Sequence, residues 1–429
     1  MRVITYIIHL HIEQMLTFMR DNMTTSSTGT PASASTIPIF WKLLPITLAV
    51  FIGFLTIGLP LPVLPLHLHD TLDVSTLVVG IVVGIQFVAA LLSRAWAGQL
   101  ADSRGAKRAV VMGFFVATFS GVAYLASMAF GDAPNTSLGI LLFGRVLLGC
   151  AESLIVTGAL SWGVGLVGPQ NAGKVMAWVG IAMYGAYAAG APVGVALYQQ
   201  YGFTGVAVAT ALIPLLALSI VILMKPVAPS SARRIPFYKV LGTVWVPGVG
   251  LALSSVGFGV ITAFIALLFS AKSWGNASMA FTVFGAAFIG ARLLFGHLPD
   301  KLGGAKVALV CVLIEAVGQL LIWGANDVAT AYAGAALTGF GYSLAFPGFG
   351  VEAVRRAPPQ GRGVAMGAYV AFLDLALGIT APAAGAIATS AGVNSVYLVG
   401  AVAVVCSVFI AVYLLVAQPH ATRQSRVAS

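Results

Sequence analysis

The sequence predicts an all-α integral membrane protein, with twelve membrane-crossing helices in two six-helix bundles. Three observations carry that expectation. Apolar residues make up 59% of the 429-residue chain and charged residues only 8%, a balance foreign to a water-soluble domain of this length. The apolar residues fall in runs of about 20, long enough to cross the hydrocarbon core as helices, and the alternating strands of a membrane β-barrel are absent from the pattern. Finally, one stretch occurs twice, as RAWAGQLADSRGAKR at 94–108 and RLLFGHLPDKLGGAK at 292–306. Arg94 and Arg292, Gly98 and Gly296, Leu100 and Leu298, Asp102 and Asp300, and Gly105 and Gly303 all lie 198 positions apart. A short charged turn between two apolar helices therefore recurs once in each half.

In chain order, residues 1–40 form an N-terminal extension. MRVITYIIHLHIEQMLTFMR is interrupted by His9, His11, Glu13 and Arg20 and lacks the small-residue cleavage site of a signal peptide. DNMTTSSTGTPASAST is expected to be disordered. Met23 is the expected true start. The alternative, an amphipathic segment on the membrane surface, would be held there by only two basic residues, Arg2 and Arg20.

The first bundle takes 41–224, with spans near 43–66, 75–100, 109–130, 138–167, 173–198 and 203–223. Pro60, Pro62 and Pro65 remove backbone donors, so the second half of the first span should be irregular and face protein. A polar linker, KPVAPSSARRIPFYK at 225–239, leads to the second bundle at 240–417. Its spans lie near 240–269, 277–298, 305–324, 329–354, 363–390 and 395–417, and residues 418–429 form a tail. A second echo pairs PQNAGKVM at 169–176 with PQGRGVAM at 359–366, and Pro192 with Pro382, at a spacing of 190. The fall from 198 to 190 places extra residues in the first half between its third and fourth spans, around Asp132–Asn135.

Orientation follows from charge. One side holds Arg104, Lys107, Arg108, Lys174, Lys225, Arg233, Arg234, Lys239, Lys301, Lys306, Arg355, Arg356, Arg362, Arg423 and Arg426. The other holds Lys272 with Asp70, Asp73, Asp132 and Asp327. Basic loops stay in the cytoplasm, so both termini are expected there, in a multi-pass protein of a bacterial inner membrane. The formal net charge of +10 is then explained by orientation, and no nucleic-acid partner is expected. Cys150, Cys311 and Cys406 lie inside apolar runs without metal or redox spacing and read as fillers. His67 and His69 read as solvated loop residues, with no metal and no cofactor. Nucleotide-binding loops and hydrolase or metalloprotease motifs are missing. Neither an enzyme nor an ATP-driven pump is expected, and an ion gradient is the expected energy source.

GQLADSRGAKR resembles the loop signature of the major facilitator superfamily, G-x-x-x-D-x-x-G-x-(R/K)-(R/K), found between its second and third helices. The second copy departs from it at Ala305, where the first has Lys107. The resemblance covers about 41–418. A nearer likeness, to the bacterial YhhS/YfcJ-type group, rests on TIGLPLPVLP at 56–65 and GALSWGVGLVGP at 158–169. It implies a fold in which the first, fourth, seventh and tenth helices line a central cavity. The second, fifth, eighth and eleventh flank it, and the remaining four lie outside. It also implies a cytoplasmic gate built from Arg94, Gly98, Asp102, Gly105 and Arg108, with Arg292, Gly296, Asp300 and Gly303 in the second copy. Arg145 and Gly149 match the family's R-x-x-x-G element on the fourth helix, whose arginine is linked to proton coupling. GAYAAGAPVG at 185–194 partly resembles the glycine–proline element of family exporters, and TAPAAG at 380–385 looks similar.

Ionisable groups at membrane depth are costly and are the default functional candidates. Arg145 and Glu152 are seven residues apart on one helical face, and Asp374 lies near the midplane of the eleventh span. These three are the expected proton-coupling residues, with an interhelical anchor as the alternative for each acid. Glu152 ranks above Asp374, because it shares a face with Arg145 and Asp374 has no basic partner on its own helix. Glu315, on an outer helix, is expected to hydrogen-bond a neighbouring helix near Gln319. Gln86 and the aromatic residues Trp162, Trp178, Tyr184, Tyr187, Phe258, Phe346, Tyr369 and Phe372 are candidates for the substrate cavity. The expected function is proton-coupled efflux, by antiport, of small organic molecules by a monomer, with substrate, protons and the lipid bilayer as partners. The alternatives are a proton-coupled symporter for a sugar or organic acid, and a non-transporting receptor or scaffold.

Overall fold

A computed structural model describes residues 39–168, 171–227, 237–356 and 362–417. The Met23 start, the N-terminal extension, Arg233, Arg234 and the tail from 418 lie outside the described residues. Every regular element among the described residues is helical. The long helices, numbered in chain order, are α1 (Ile39–Gly58), α2 (Thr76–Arg104), α3 (Ala106–Met128) and α4 (Pro134–Val167). A continuous run, Ala172–Leu223, is broken at Gly202, whose φ of +62° is non-helical. It therefore provides α5 (172–201) and α6 (203–223). The second half supplies α7 (Phe237–Ala271), α8 (Ala277–Phe295), α9 (Gly304–Trp323), α10 (Val328–Arg356), α11 (Arg362–Ala391) and α12 (Ser395–Val416).

Ten of these runs are long and apolar enough to span a membrane on length and composition alone. Counting Ala172–Leu223 as two gives eleven. The twelfth is α10, 29 residues long, whose Gly, Thr, Tyr and Ser residues lower its hydropathy without shortening it. The proline-rich end of the first span is irregular, as its lost donors require. α1 stops at Gly58, and a three-residue helix, Leu64–Leu66, and a π-helical turn, His67–Thr71, follow. Every residue from Leu59 to Pro65 is buried. His67 departs from expectation: it is not solvated but buried, its ring stacked on Phe203 at 4.2 Å. The π-turn rotates it inward, while His69 stays exposed. Asp327 caps α10, accepting hydrogen bonds from the backbone N–H (2.8 Å) and hydroxyl (2.7 Å) of Thr330. Those bonds hold its carboxyl below the usual aspartate value.

Within each half, α3 and α9 run along α4 and α10, and α2 and α8 cross the same partners. Contact between the halves runs mainly through α2 with α11 and α5 with α8. Large apolar side chains such as Leu92, Phe119, Phe143, Leu216, Val310 and Phe409 point outward, the surface a bilayer solvates. The eight extra residues of the first half are not confined to a turn. Gly144 packs on Tyr124 where Gly334 packs on Gly318 and Ile322, so the change of spacing falls between these contacts. It is spread over a longer end of α3, the turn and an earlier start of α4.

The two signature turns are built alike. Gly105 (φ +97°, ψ 143°) separates α2 from α3, and Gly303 (φ +96°, ψ 138°) separates the short helix Leu298–Leu302 from α9. A Cβ at either would meet nothing within 4 Å, so glycine is needed for the dihedral and not for space. Gly105→Ala and Gly303→Ala should each cost about 1–3 kcal/mol. Thermal unfolding of the detergent-solubilised variants checks this, and an unchanged midpoint in both would refute it.

Candidate functional site

The groups at membrane depth gather in two constellations. The first holds the acids. α2 presents Gln86 and Arg94, α4 presents Arg145 and Glu152, and α11 presents Asp374, all buried or nearly so. The Arg94 Nε and Nη2 atoms both reach Asp374 Oδ2, at 2.6 and 2.5 Å, with side-chain exposures of only 12% and 4%. This ion pair ties α2 of the first half to α11 of the second. Glu152 Oε2 accepts a 2.7 Å hydrogen bond from Gln86 Nε2. Asp374, Arg94 and, as its shared helix face suggests, Arg145 are all near enough to act electrostatically on Glu152.

Arg145 does not turn to Glu152, although the two share a helix face. Its Nε and Nη2 donate to the carbonyls of Val82 and Val83 on α2, each at 3.0 Å, and Nη1 reaches the Tyr124 hydroxyl at 3.5 Å. A guanidinium carries five donors and no acceptor, and three fixed oxygens satisfy most of them. Arg145 thus ties α4 to α2 and α3. The basic partner that Asp374 lacks on its own helix comes from the other half of the chain.

The second constellation is aromatic. Tyr184 and Tyr187 on α5 meet Phe258 on α7, Phe284 and Phe288 on α8, and Tyr342 on α10. Tyr184 stacks on Phe288 at 3.9 Å. Its hydroxyl donates to that of Tyr342 (3.2 Å), which lies 3.3 Å from the Ser255 hydroxyl. Arg292 lies over Phe288, 5.3 Å from the ring centroid.

The other expected cavity residues scatter. Tyr369 donates to the Phe346 carbonyl (2.6 Å), and Phe372 packs against Gly248 on α7. Trp162 is buried and donates to the Lys225 carbonyl (3.2 Å) at the base of the first half. Glu315 makes no hydrogen bond. Both its oxygens are buried without a partner, and it is Gln319 that bridges to Gly257 O and Thr338 Oγ1, each at 3.2 Å. Of the expected gate residues, Arg94 faces Asp374 and not Asp102, while Arg108 and Asp300 are exposed. Lys107 caps α6 by donating to the carbonyls of Ile222 and Met224 at 2.7 and 2.6 Å.

The halves do not touch evenly. Toward the Thr76 end of α2 they are sealed. Gly80 and Gly84 lie against the α11 backbone around Gly378–Pro382, and Gly385 against Thr76 and Leu77. The Thr76 hydroxyl reaches the Gly385 carbonyl (3.1 Å) and the Thr389 hydroxyl (2.7 Å). On the other side, Gly285 packs on Ala188, and the Thr282 hydroxyl donates to the Ala188 carbonyl at 3.0 Å. Past the Arg94–Asp374 pair this contact ends. A Cβ on Gly98 would meet only the Thr157 methyl of its own half, and one on Gly367 would meet nothing within 4 Å. The glycine packing that seals the Thr76 end is absent at this end.

Over residues 46–275 and 248–429 the chain matches the sequence model of the Major Facilitator Superfamily. The chain belongs to that superfamily. It is 43% identical over 360 residues to the uncharacterised MFS-type transporter YhhS of Escherichia coli, covering 84% of this chain and 89% of that one. It is 44% identical over 356 residues to an uncharacterised MFS-type transporter of Salmonella typhimurium, covering 83% and 92%. A third relative, from Burkholderia mallei, is 43% identical over 391 residues, covering 91% and 96%. The fold is shared with the human organic anion transporter MFSD10, at TM-score 0.65 and 15% identity, covering 88% of this chain and 100% of that one. It is shared too with the nucleoside transporter NupG, at 0.67 and 14%, covering 87% and 99%. The protein is thus a multi-pass MFS membrane transporter with bacterial relatives, and the likeness to the YhhS group holds.

Sequence reasoning missed Tyr342, Phe284 and Phe288. They are ordinary apolar-helix residues until the spacing of the repeat is applied to them, as is done below. The uneven seam gives a prediction. With Thr76→Cys and Thr389→Cys installed together, an oxidant should cross-link the pair readily. The pair Gly98→Cys with Gly367→Cys should stay open. Equal cross-linking of both pairs, read by gel shift after cleavage in the linker, would refute the parted end.

Proposed function

We propose that the chain is a proton-coupled secondary transporter of the bacterial inner membrane, exporting small organic molecules in exchange for protons. The observation that supports this is the buried Arg94–Asp374 pair, which joins the halves at the depth where they begin to part. A buried ion pair is costly to break by removing one partner, about 3–5 kcal/mol. Protonating Asp374 removes the charge that holds Arg94 and so loosens the contact between the halves. Glu152 lies within electrostatic reach of both groups and offers Arg94 a second carboxylate. Proton uptake and the release of one half from the other then become one event, the coupling an exchanger needs. Arg145 supports this by fixing α4 to α2, which holds Glu152 opposite Gln86.

In this reading residues 41–224 and 240–417 move as two bundles on the 225–239 linker, within a monomer. The basic loops, with Arg104, Arg108, Lys301, Arg355 and Arg356, face the cytoplasm with both termini. The parted end is then the inward-facing mouth, and the signature turns close it in the opposite state.

Two measurements test the proposal. In proteoliposomes, Asp374→Asn and Glu152→Gln mimic permanently protonated acids. At least one should lose pH-gradient-driven flux while keeping substrate-for-substrate exchange, and Arg145→Ala should shift the pH dependence of flux. Full gradient-driven flux in both acid variants would remove the proton from these residues, and accumulation with the proton gradient would reverse the direction. For topology, a tag at Ser231 should be reachable from the cytoplasm and one at Asp132 only from outside.

A further inference from the structure

The two constellations occupy equivalent places in the two halves. α2 and α8 are related by 198 positions, so Arg94 corresponds to Arg292 and Gln86 to Phe284. α5 and α11 are related by 190, so Tyr184 corresponds to Asp374. At the same spacing on α4 and α10, Glu152 corresponds to Tyr342 and Gly149 to Gly339. The packing agrees. Gly149 lies against the Gln86 carbonyl, and Gly339 lies against the Phe284 carbonyl. Each half thus sets one arginine against the other half, and the partners differ. Arg94 meets Asp374 with Glu152 nearby, whereas Arg292 lies over Phe288 within electrostatic reach of Tyr184 and Tyr342.

Arg292 therefore keeps the cation of this arrangement without its acid. No hydrogen bond or ion pair satisfies it among the described residues, and its Nε is buried without an acceptor. The titratable groups close enough to influence it are Tyr184, Tyr342 and Tyr369. Its contact with the Phe288 face contributes about 0.5–2 kcal/mol. That falls short of the several kcal/mol that desolvating an unpaired ion costs. The residue is only partly buried, so an external group can complete it.

We propose that Arg292 is the substrate's anchor. In this proposal the site between α5, α8 and α10 takes organic anions, a carboxylate or phosphonate on a planar, largely apolar body. The anionic head meets the open side of Arg292, since Tyr184 itself fills the place that Asp374 holds beside Arg94. The Tyr184 hydroxyl, which donates to Tyr342 here, can turn its one O–H to the head instead, and the rings of Phe258 and Tyr187 lie beside the body. Charge separation follows: the acid constellation carries the proton, and its counterpart carries the anion. With an inside-negative potential, export of an anion against proton entry is favoured by both gradients. The inference rests on the transporter reading and names its substrate class.

The test is equilibrium binding to the full-length protein in nanodiscs. The probes are benzoate and phenylphosphonate, with benzamide and benzylamine as the uncharged and cationic counterparts. The two anions should bind and compete with each other, and benzamide and benzylamine should bind at least about tenfold more weakly. Arg292→Gln should weaken anion binding about ten- to a hundredfold. Tyr184→Asp, which rebuilds beside Arg292 the acid found beside Arg94, should abolish it with the arginine still present. The proposal is overturned if wild-type protein binds the anions no better than benzamide, a comparison that needs no variant to fold. Equal anion binding by a monodisperse Arg292→Gln protein overturns it as well. Binding without flux involves no proton movement. Failure here with intact coupling at Asp374 or Glu152 would sink the anion site alone, and the reverse pattern would sink the proton reading alone.

Discussion

A guanidinium buried between helices must find acceptors, and the Arg94–Asp374 contact is where this chain meets that demand across its two halves. On the Thr76 side of the pair, the seam between α2 and α11 is made largely of small residues and backbone. Gly80, Gly84, Gly378 and Gly385 let α2 and α11 approach until side chains touch carbonyls, as association in lipid requires when no hydrophobic force draws helices together. Everything past the pair opens toward the basic turns. The pair marks the boundary between a dry seam and an accessible gap, and it does so with a group that can lose its charge.

The halves share a scaffold and differ in what they bring to it. In each, an arginine late in the flanking helix faces the other half, and a glycine on the next helix lets the backbones cross. Around that frame the first half supplies Gln86 and Glu152 to the acid of α11. The second supplies Phe284 and Tyr342 to the tyrosine of α5. An acid site and an aromatic site therefore stand in one geometric mould. Two chemically different tasks can be carried by related movements, since the same helices shift in both places.

Much of this was legible in the sequence, and the failures have physical causes. The apolar runs, the proline-broken end of α1 and the doubled turn follow from backbone and bilayer constraints that act locally. The special φ of Gly105 and Gly303 was not legible, because a repeat marks the turns without giving their dihedrals. Acids at membrane depth stood out because burial makes them rare. Their partners did not, because partners are tertiary: Arg94 lies 280 residues from Asp374. Helix-face reasoning put Arg145 beside Glu152, but α2 carbonyls within reach compete for a guanidinium and here hold it. His67 looked like a loop residue because a π-turn, invisible in a hydropathy pattern, rotates it onto Phe203.

The uneven seam also bears on where the energy of switching resides. The sealed side is held by dispersion between small residues and by a few neutral hydrogen bonds, such as Thr76 to Gly385 and Thr282 to Ala188. A neutral hydrogen bond is worth about 0.5–1.5 kcal/mol net, and its donors find other partners in water once the side opens. The ion pair is different in kind, because a desolvated charge left alone costs about 3–5 kcal/mol. Opening the sealed side is thus a sum of small terms, while releasing Arg94 is a single large one. A single large term can be removed by one proton, whereas a sum of small ones cannot. In the proposed exchanger, that asymmetry places control of the movement at Asp374 and its neighbour Glu152 and lets the glycine seam remain chemically plain.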